Sequence, residues 1–218
     1  MNNYSVVVLG GTGQVGMAVV KALLASPQCR EIVMIARRAV ANAYGERVRM
    51  VTMDTESPGF EQAVAALVQA VAVQPVYAAS CAGIGSGSPK MSDEEILKLE
   101  VGVVGAFARG CKAGGISHFG LLSAAGASSR SLIRYARNMG RKEDTVNAVG
   151  FRRLATFRPG IIGGNANTPG YVERLGRFLP GKGGTIDQDA IGRAFVREFE
   201  RGDDAGTAIL HNKEMRAA

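Results

Sequence analysis

The chain is most constrained near its start, where the apolar run Tyr4–Leu9, YSVVVL, leads directly into Gly10-Gly11-Thr12-Gly13-Gln14-Val15-Gly16. Three consecutive valines without polar alternation suit a strand covered on both faces, the habit of parallel sheets. Gly10, Gly13 and Gly16 have the spacing G-x-x-G-x-x-G, and the residues that follow put Val15, Val19, Val20 and Leu23 on one helical face. Strand, glycine loop and helix in that order form a phosphate-binding turn. The glycines let the backbone bend and approach a pyrophosphate, and the free N–H groups of the first helical turn face its charge. Gly10, Thr12, Gly13, Gln14, Val15 and Gly16 are therefore expected to line a dinucleotide site. A tight turn of purely structural use is the competing reading.

The rest of the sequence repeats the alternation. Strands are expected at residues 4–9, 31–36, 47–53, 75–80, 118–123 and 153–158, with a late one at 207–211. Helices are expected at 14–26, 58–70, 93–113, 131–149 and 187–201. The third helix has a Ser-x-x-Glu capping box, Ser92 to Glu95, and should stop at Gly114-Gly115. Alternating strands and helices imply right-handed βαβ units and a doubly wound, Rossmann-like parallel sheet in a three-layer α/β/α sandwich. At 218 residues the chain suits one domain, with residues 163–184, rich in Gly, Asn and Pro, as its irregular part.

The end of the second strand selects the cofactor. An NAD site presents Asp or Glu there, about 20 residues past the loop, to bond the ribose 2′-hydroxyl. Here the strand ends Ala36-Arg37-Arg38, with two guanidiniums and no acid. Guanidinium pairs with phosphate in a bidentate fashion, so the sequence predicts NADP(H), with Arg37 as the main 2′-phosphate contact and Arg38 as the second.

Composition excludes other classes. Three widely spaced cysteines (Cys29, Cys81, Cys111) and two histidines give no metal-binding spacing, and the cysteine usage fits a reducing, cytoplasmic setting. No apolar stretch approaches the roughly 18 residues of a membrane span, and no secretory signal opens the sequence. The net charge of +7 could attract nucleic acid, but with 8 Phe, 5 Tyr and no Trp there is little material for stacking bases, and no nucleic-acid motif accompanies it. Eight cations and two acids lie between Arg130 and Arg158; a solvated basic face is preferred to an anion-binding one.

The glycine loop, "ARR", "LLSAAGA" at 121–127, Tyr135 and "FRPGIIGG" at 157–164 together resemble the atypical short-chain dehydrogenase/reductases. The likeness is to the small NADP-binding proteins related to the HIV Tat-interactive protein and, less closely, to NmrA-type regulators. It implies an active-site set of Ser, Tyr and Lys, the last two spaced Tyr-x-x-x-Lys. In that set a hydroxyl orients a carbonyl and a tyrosine moves the proton, while lysine lowers the phenol from its ordinary pKa of about 10 and holds the nicotinamide ribose. Ser123 and Tyr135 occupy the first two places. Gly140 and Glu143 fix the register of the family's Lys-Gly-x-x-Glu, so Met139 stands where lysine is expected. Lys142 lies about 10.5 Å farther along the helix than Tyr135 and is not expected to touch it.

The resemblance also implies an adenine contact at Asp54, for which a loop cap is the alternative. Cys81, Ala82 and Gly83 would border the adenine ribose, with Cys81 as a packed small residue. Pro159, Gly160 and Ile161 would pass the nicotinamide end. The expected function is an NADP(H)-dependent oxidoreductase-like protein acting on a small carbonyl or alcohol with an incomplete catalytic set. The alternative is a catalytically inactive NADPH-binding sensor working through a protein partner.

Overall fold

In the computed structural model, residues 3–84, 91–164, 184–201 and 205–217 are described. Seven strands form one all-parallel sheet: β1 (Tyr4–Leu9), β2 (Cys29–Ala36), β3 (Val48–Thr52), β4 (Val76–Ser80), β5 (His118–Leu122), β6 (Arg153–Phe157) and a late strand, Gly206–Leu210. Their spatial order is β3-β2-β1-β4-β5-β6 followed by the late strand, as expected for a doubly wound sheet. A separate parallel pair, β7 (Ile161–Gly163) and β8 (Thr185–Asp187), sits outside it, which makes the late strand β9.

The valine run shows why the sheet is covered on both faces. Val6 and Val8 pack on one side with Val19 and Leu23 of α1 (Gln14–Ala25). Val7 and Leu9 pack on the other with Phe60 and Val64 of α2 (Phe60–Gln69). Three more helices complete the layers. They are α4 (Val103–Ala113), which follows the short α3 (Asp93–Ile96), then α5 (Arg134–Asn147), and α6 (Gln188–Glu200). Phe195 of α6 stacks on Phe157 of β6 with ring centroids 3.8 Å apart. A last short helix, α7 (Asn212–Arg216), follows β9.

The structure departs from the expected elements in three places. The helix expected at 93–113 begins at the Ser92–Glu95 capping box, but Leu97–Gly102 forms a π-helical turn before α4 resumes. The wider turn places Glu100 in the interior, where its carboxylate is bonded from two sides. The β7–β8 pair is too short to leave a periodic signal. The helix expected at 131–149 starts at Arg134, because Ser131 closes a turn onto the Ser128 carbonyl and its hydroxyl accepts from the Ile133 amide. Most of the irregular region expected at 163–184 lies outside the described residues.

Candidate cofactor and active site

β1 lies between β2 and β4, so successive crossovers leave it on opposite sides and a crevice opens at the carboxyl ends of the strands. A cleft of about 510 Å³ lies there, reaching from Gly10, Thr12 and Gly13 past Ala36, Arg37 and Thr55 to Cys81, Ala82 and Gly83. A second part of about 360 Å³ adjoins it, lined by Gln14, Val15, Ser123, Tyr135, Met139, Lys142 and Ile162. Thr12, Gly13, Cys81, Ala82, Gly83, Ile84 and Glu100 line both.

The three loop glycines differ in what they leave room for. Gly10 has φ +79°, a left-handed conformation, and a Cβ there would stand 2.6 Å from the Ala82 nitrogen. A Cβ on Gly16 would come 2.1 Å from the Gly10 carbonyl oxygen, so Gly16 is the contact that seats α1 under the loop. A Cβ on Gly13 would meet only that same oxygen, at 3.4 Å. Its bareness serves the cleft rather than the fold. Gly13 caps α1 without a side-chain bond, and the first turn contains no acid, leaving the positive end of the helix facing the crevice. These features fit a dinucleotide pyrophosphate.

At the adenine end, Arg37 is exposed on the cleft rim and makes no hydrogen bond or ion pair among the described residues; Arg38 is exposed beyond it. Asp54 caps its own turn, accepting from the Glu56 amide at 3.0 Å, and Thr55 lines the cleft instead. The Thr55 hydroxyl is buried and finds no partner among the described residues. Cys81 is buried between the two parts, and burial pushes its thiol up to about 12, as befits a packed residue and not a nucleophile.

At the other end, Ser123 and Tyr135 are brought together as expected, with Met139 one helical turn from Tyr135. Gly140 makes this geometry: a Cβ there would stand 2.0 Å from the Ser129 nitrogen, so α5 lies directly on the turn after β5. Met139 is buried against Ala124 and Ala127. Tyr135 is half exposed at the cleft, and the partial desolvation of its phenol there raises it to about 12, with the Glu100 carboxylate adding to the rise.

Sequence reasoning missed the charges behind these groups. The Ser123 hydroxyl donates to Glu143 Oε1 at 2.5 Å, and Arg158 grips the same carboxylate with Nε, at 2.8 Å, and with Nη2. Lys142 is 3% exposed and pairs with Glu100 at 3.4 Å; the other Glu100 oxygen accepts from the Ile84 amide at 2.9 Å. The basic face expected between Arg130 and Arg158 is corrected accordingly. Lys142, Arg153 and Arg158 turn onto Glu100, Glu198 and Glu143, and Arg134 pairs with Asp93. Pro159, Gly160 and Ile161 do not line either part of the cleft. They are tied into the neighbouring backbone instead: the Pro159 carbonyl accepts from the Ala125 amide, and Asn212 bridges the Gly160 amide, at 2.9 Å, and the Gly184 carbonyl, at 2.6 Å.

A Rossmann sheet, a bare glycine loop and a crevice at the switch point define a nicotinamide-dinucleotide-binding protein. The chain belongs to the NAD(P)H-binding family of atypical short-chain dehydrogenase/reductase-like proteins, whose family model matches residues 10–202. It is 30% identical over 205 residues to "Protein fmp52, mitochondrial" of Aspergillus clavatus, covering 88% of this chain and 85% of that one. It is 28% identical over 169 residues to "Protein HTATIP2" of Rattus norvegicus, covering 74% and 64%. Among solved structures, MoeE5 in complex with UDP-glucuronic acid and NAD superposes with a TM-score of 0.71 at 17% identity, over 95% of this chain and 76% of that one, a likeness of fold. Among the described residues no helix is long and apolar enough to cross a membrane.

Proposed function

We propose that the protein binds NADP(H) in preference to NAD(H) and serves as a reductase of small carbonyls, with turnover limited by its altered catalytic set. The observation that carries the cofactor choice is Arg37. It stands on the rim at the end of β2 with no partner among the described residues, where an acid would select the unphosphorylated ribose. Fluorescence titration with NADPH and NADH tests it. NADPH should bind at least tenfold more tightly, and Arg37→Ala should remove most of that difference. Equal affinities in the unaltered protein would refute the assignment.

Bound NADPH would supply the hydride. Tyr135, on the wall of the same part of the cleft as Ser123, would donate the proton that accompanies the hydride in the reducing direction. The Ser123 hydroxyl commits its proton to Glu143 and has none left to donate to a substrate carbonyl, so that donation falls to Tyr135. Arg158 balances the Glu143 charge and fixes Ser123 in place.

A second reading has its own support: Met139, buried against Ala124 and Ala127, puts an uncharged side chain one helical turn from Tyr135, where the resembled set has its lysine. On that reading the protein is an NADPH sensor acting through a protein partner. A panel of aldehydes and ketones decides between them. Any steady NADPH-dependent reduction supports the reductase; tight NADPH binding with no turnover supports the sensor. The three buried, unpaired thiols support the cytoplasm or another reducing compartment as its location.

A further inference from the structure

Lys142 is a buried ammonium with too few partners. It has three N–H donors. Its side chain is 3% exposed, and among the described residues it makes one bond, the 3.4 Å contact to Glu100. The remaining donors are held out of water on the wall of the nicotinamide-side cleft, beside Ser123, Tyr135 and Met139. Burying an ammonium so incompletely bonded is costly unless something else completes its shell. Glu100 is placed just as deliberately. The π-helical turn carries it inward, its two oxygens hold the Ile84 amide and Lys142, and it lines both parts of the cleft. The pair stands at the junction of the two parts, past the pyrophosphate loop in the direction of Tyr135.

Helix geometry explains why Lys142 and not a neighbour reaches this wall. Seven residues turn the helix through nearly two full revolutions, so residues 135 and 142 share a face, and side chains lean back toward the helix N-terminus. Met139 lies on the same face but is packed into Ala124 and Ala127.

We propose that Lys142, oriented by Glu100, is the residue that donates to the sugar hydroxyls at the nicotinamide end of the bound dinucleotide. Its ammonium supplies donors to the vicinal diol, and the Glu100 carboxylate keeps it charged and pointed inward. Anchoring the cofactor and lowering the tyrosine's pKa, two tasks that one lysine performs in the resembled set, are thereby separated: Lys142 anchors, while the Tyr135 phenol stays raised. This inference rests on the cleft binding NADP(H), and the test separates the two.

The test compares two ligands by calorimetry. NADPH carries both sugars; adenosine 2′,5′-bisphosphate carries the adenine end alone. Lys142→Met should weaken NADPH about tenfold and leave the bisphosphate within twofold. Because that variant leaves Glu100 unpaired, Lys142→Met/Glu100→Gln is measured beside it, with retained bisphosphate binding as the sign of an intact fold. The double variant should show the same selective loss. Lys142→Arg, which keeps the donors, should recover at least part of the NADPH affinity. Equal weakening of both ligands, or unchanged NADPH binding in the double variant, overturns the proposal. If the unaltered protein binds neither ligand, the cofactor assignment itself has failed.

Discussion

The two ends of the cleft are built from different materials. The pyrophosphate end is made of backbone: Gly10, Gly13 and Gly16 are defined by atoms they lack, and α1 contributes amides and a dipole. The nicotinamide end is made of side chains on α5 and around it, where Ser123, Glu143, Arg158, Glu100 and Lys142 each depend on a partner at least 15 residues away, and Tyr135 stands among them. A backbone site tolerates almost no change in its loop but asks nothing of chemistry elsewhere. A side-chain site can hold an uncharged residue such as Met139 among its polar members and keep its shape, because the ion pairs around it hold the helix.

This contrast is sharpest in the glycines. Gly16→Ala should cost about 3 kcal/mol and abolish cofactor binding, since the new methyl collides with the Gly10 carbonyl. Gly13→Ala should leave urea unfolding nearly unchanged and still cost most of the NADPH affinity. Equal destabilisation by both changes would break the distinction. At the other end, Arg158→Ala should destabilise by about 2 kcal/mol in the same assay, because it strands the buried Glu143 carboxylate. Met139→Lys should act on chemistry more than on fold. A cation one turn from Tyr135 favours the phenolate, so the phenol should fall from its raised value near 12, and any reductase activity should rise. A spectrophotometric titration against Tyr135→Phe reads the first effect, and a steady-state assay the second. The smallest effect is expected at Arg38→Ala, under twofold in NADPH affinity, since an exposed guanidinium beyond the rim contributes little.

What the sequence revealed follows the same division. The parallel sheet, its strands and the loop were legible because they depend on local signals, such as an unbroken valine run, a fixed glycine spacing and a capping box at Ser92. Ser123, Tyr135 and the anomaly at Met139 were legible through the register set by Gly140 and Glu143. Glu100 was not, because an uninterrupted helical pattern over 93–113 hides a π-helical turn. The role of Lys142 was hidden by the same cause: counted along its own helix it looked too distant from Tyr135, and its partner lies 42 residues away. Arg158 and Glu143 read as part of a solvated charge run until the fold turned them toward each other.

Asn212 shows how far constraint extends from the cleft. Its side chain must accept from one amide and donate to one carbonyl on opposite sides, a demand that an amide meets and that neither a carboxylate nor an isosteric hydrocarbon can satisfy. Position 212 is therefore as narrowly specified as any residue on the cleft wall, although it lies outside the lining. One amide side chain arriving from beyond β9 thus sets the path of the backbone into both strands of the β7–β8 pair.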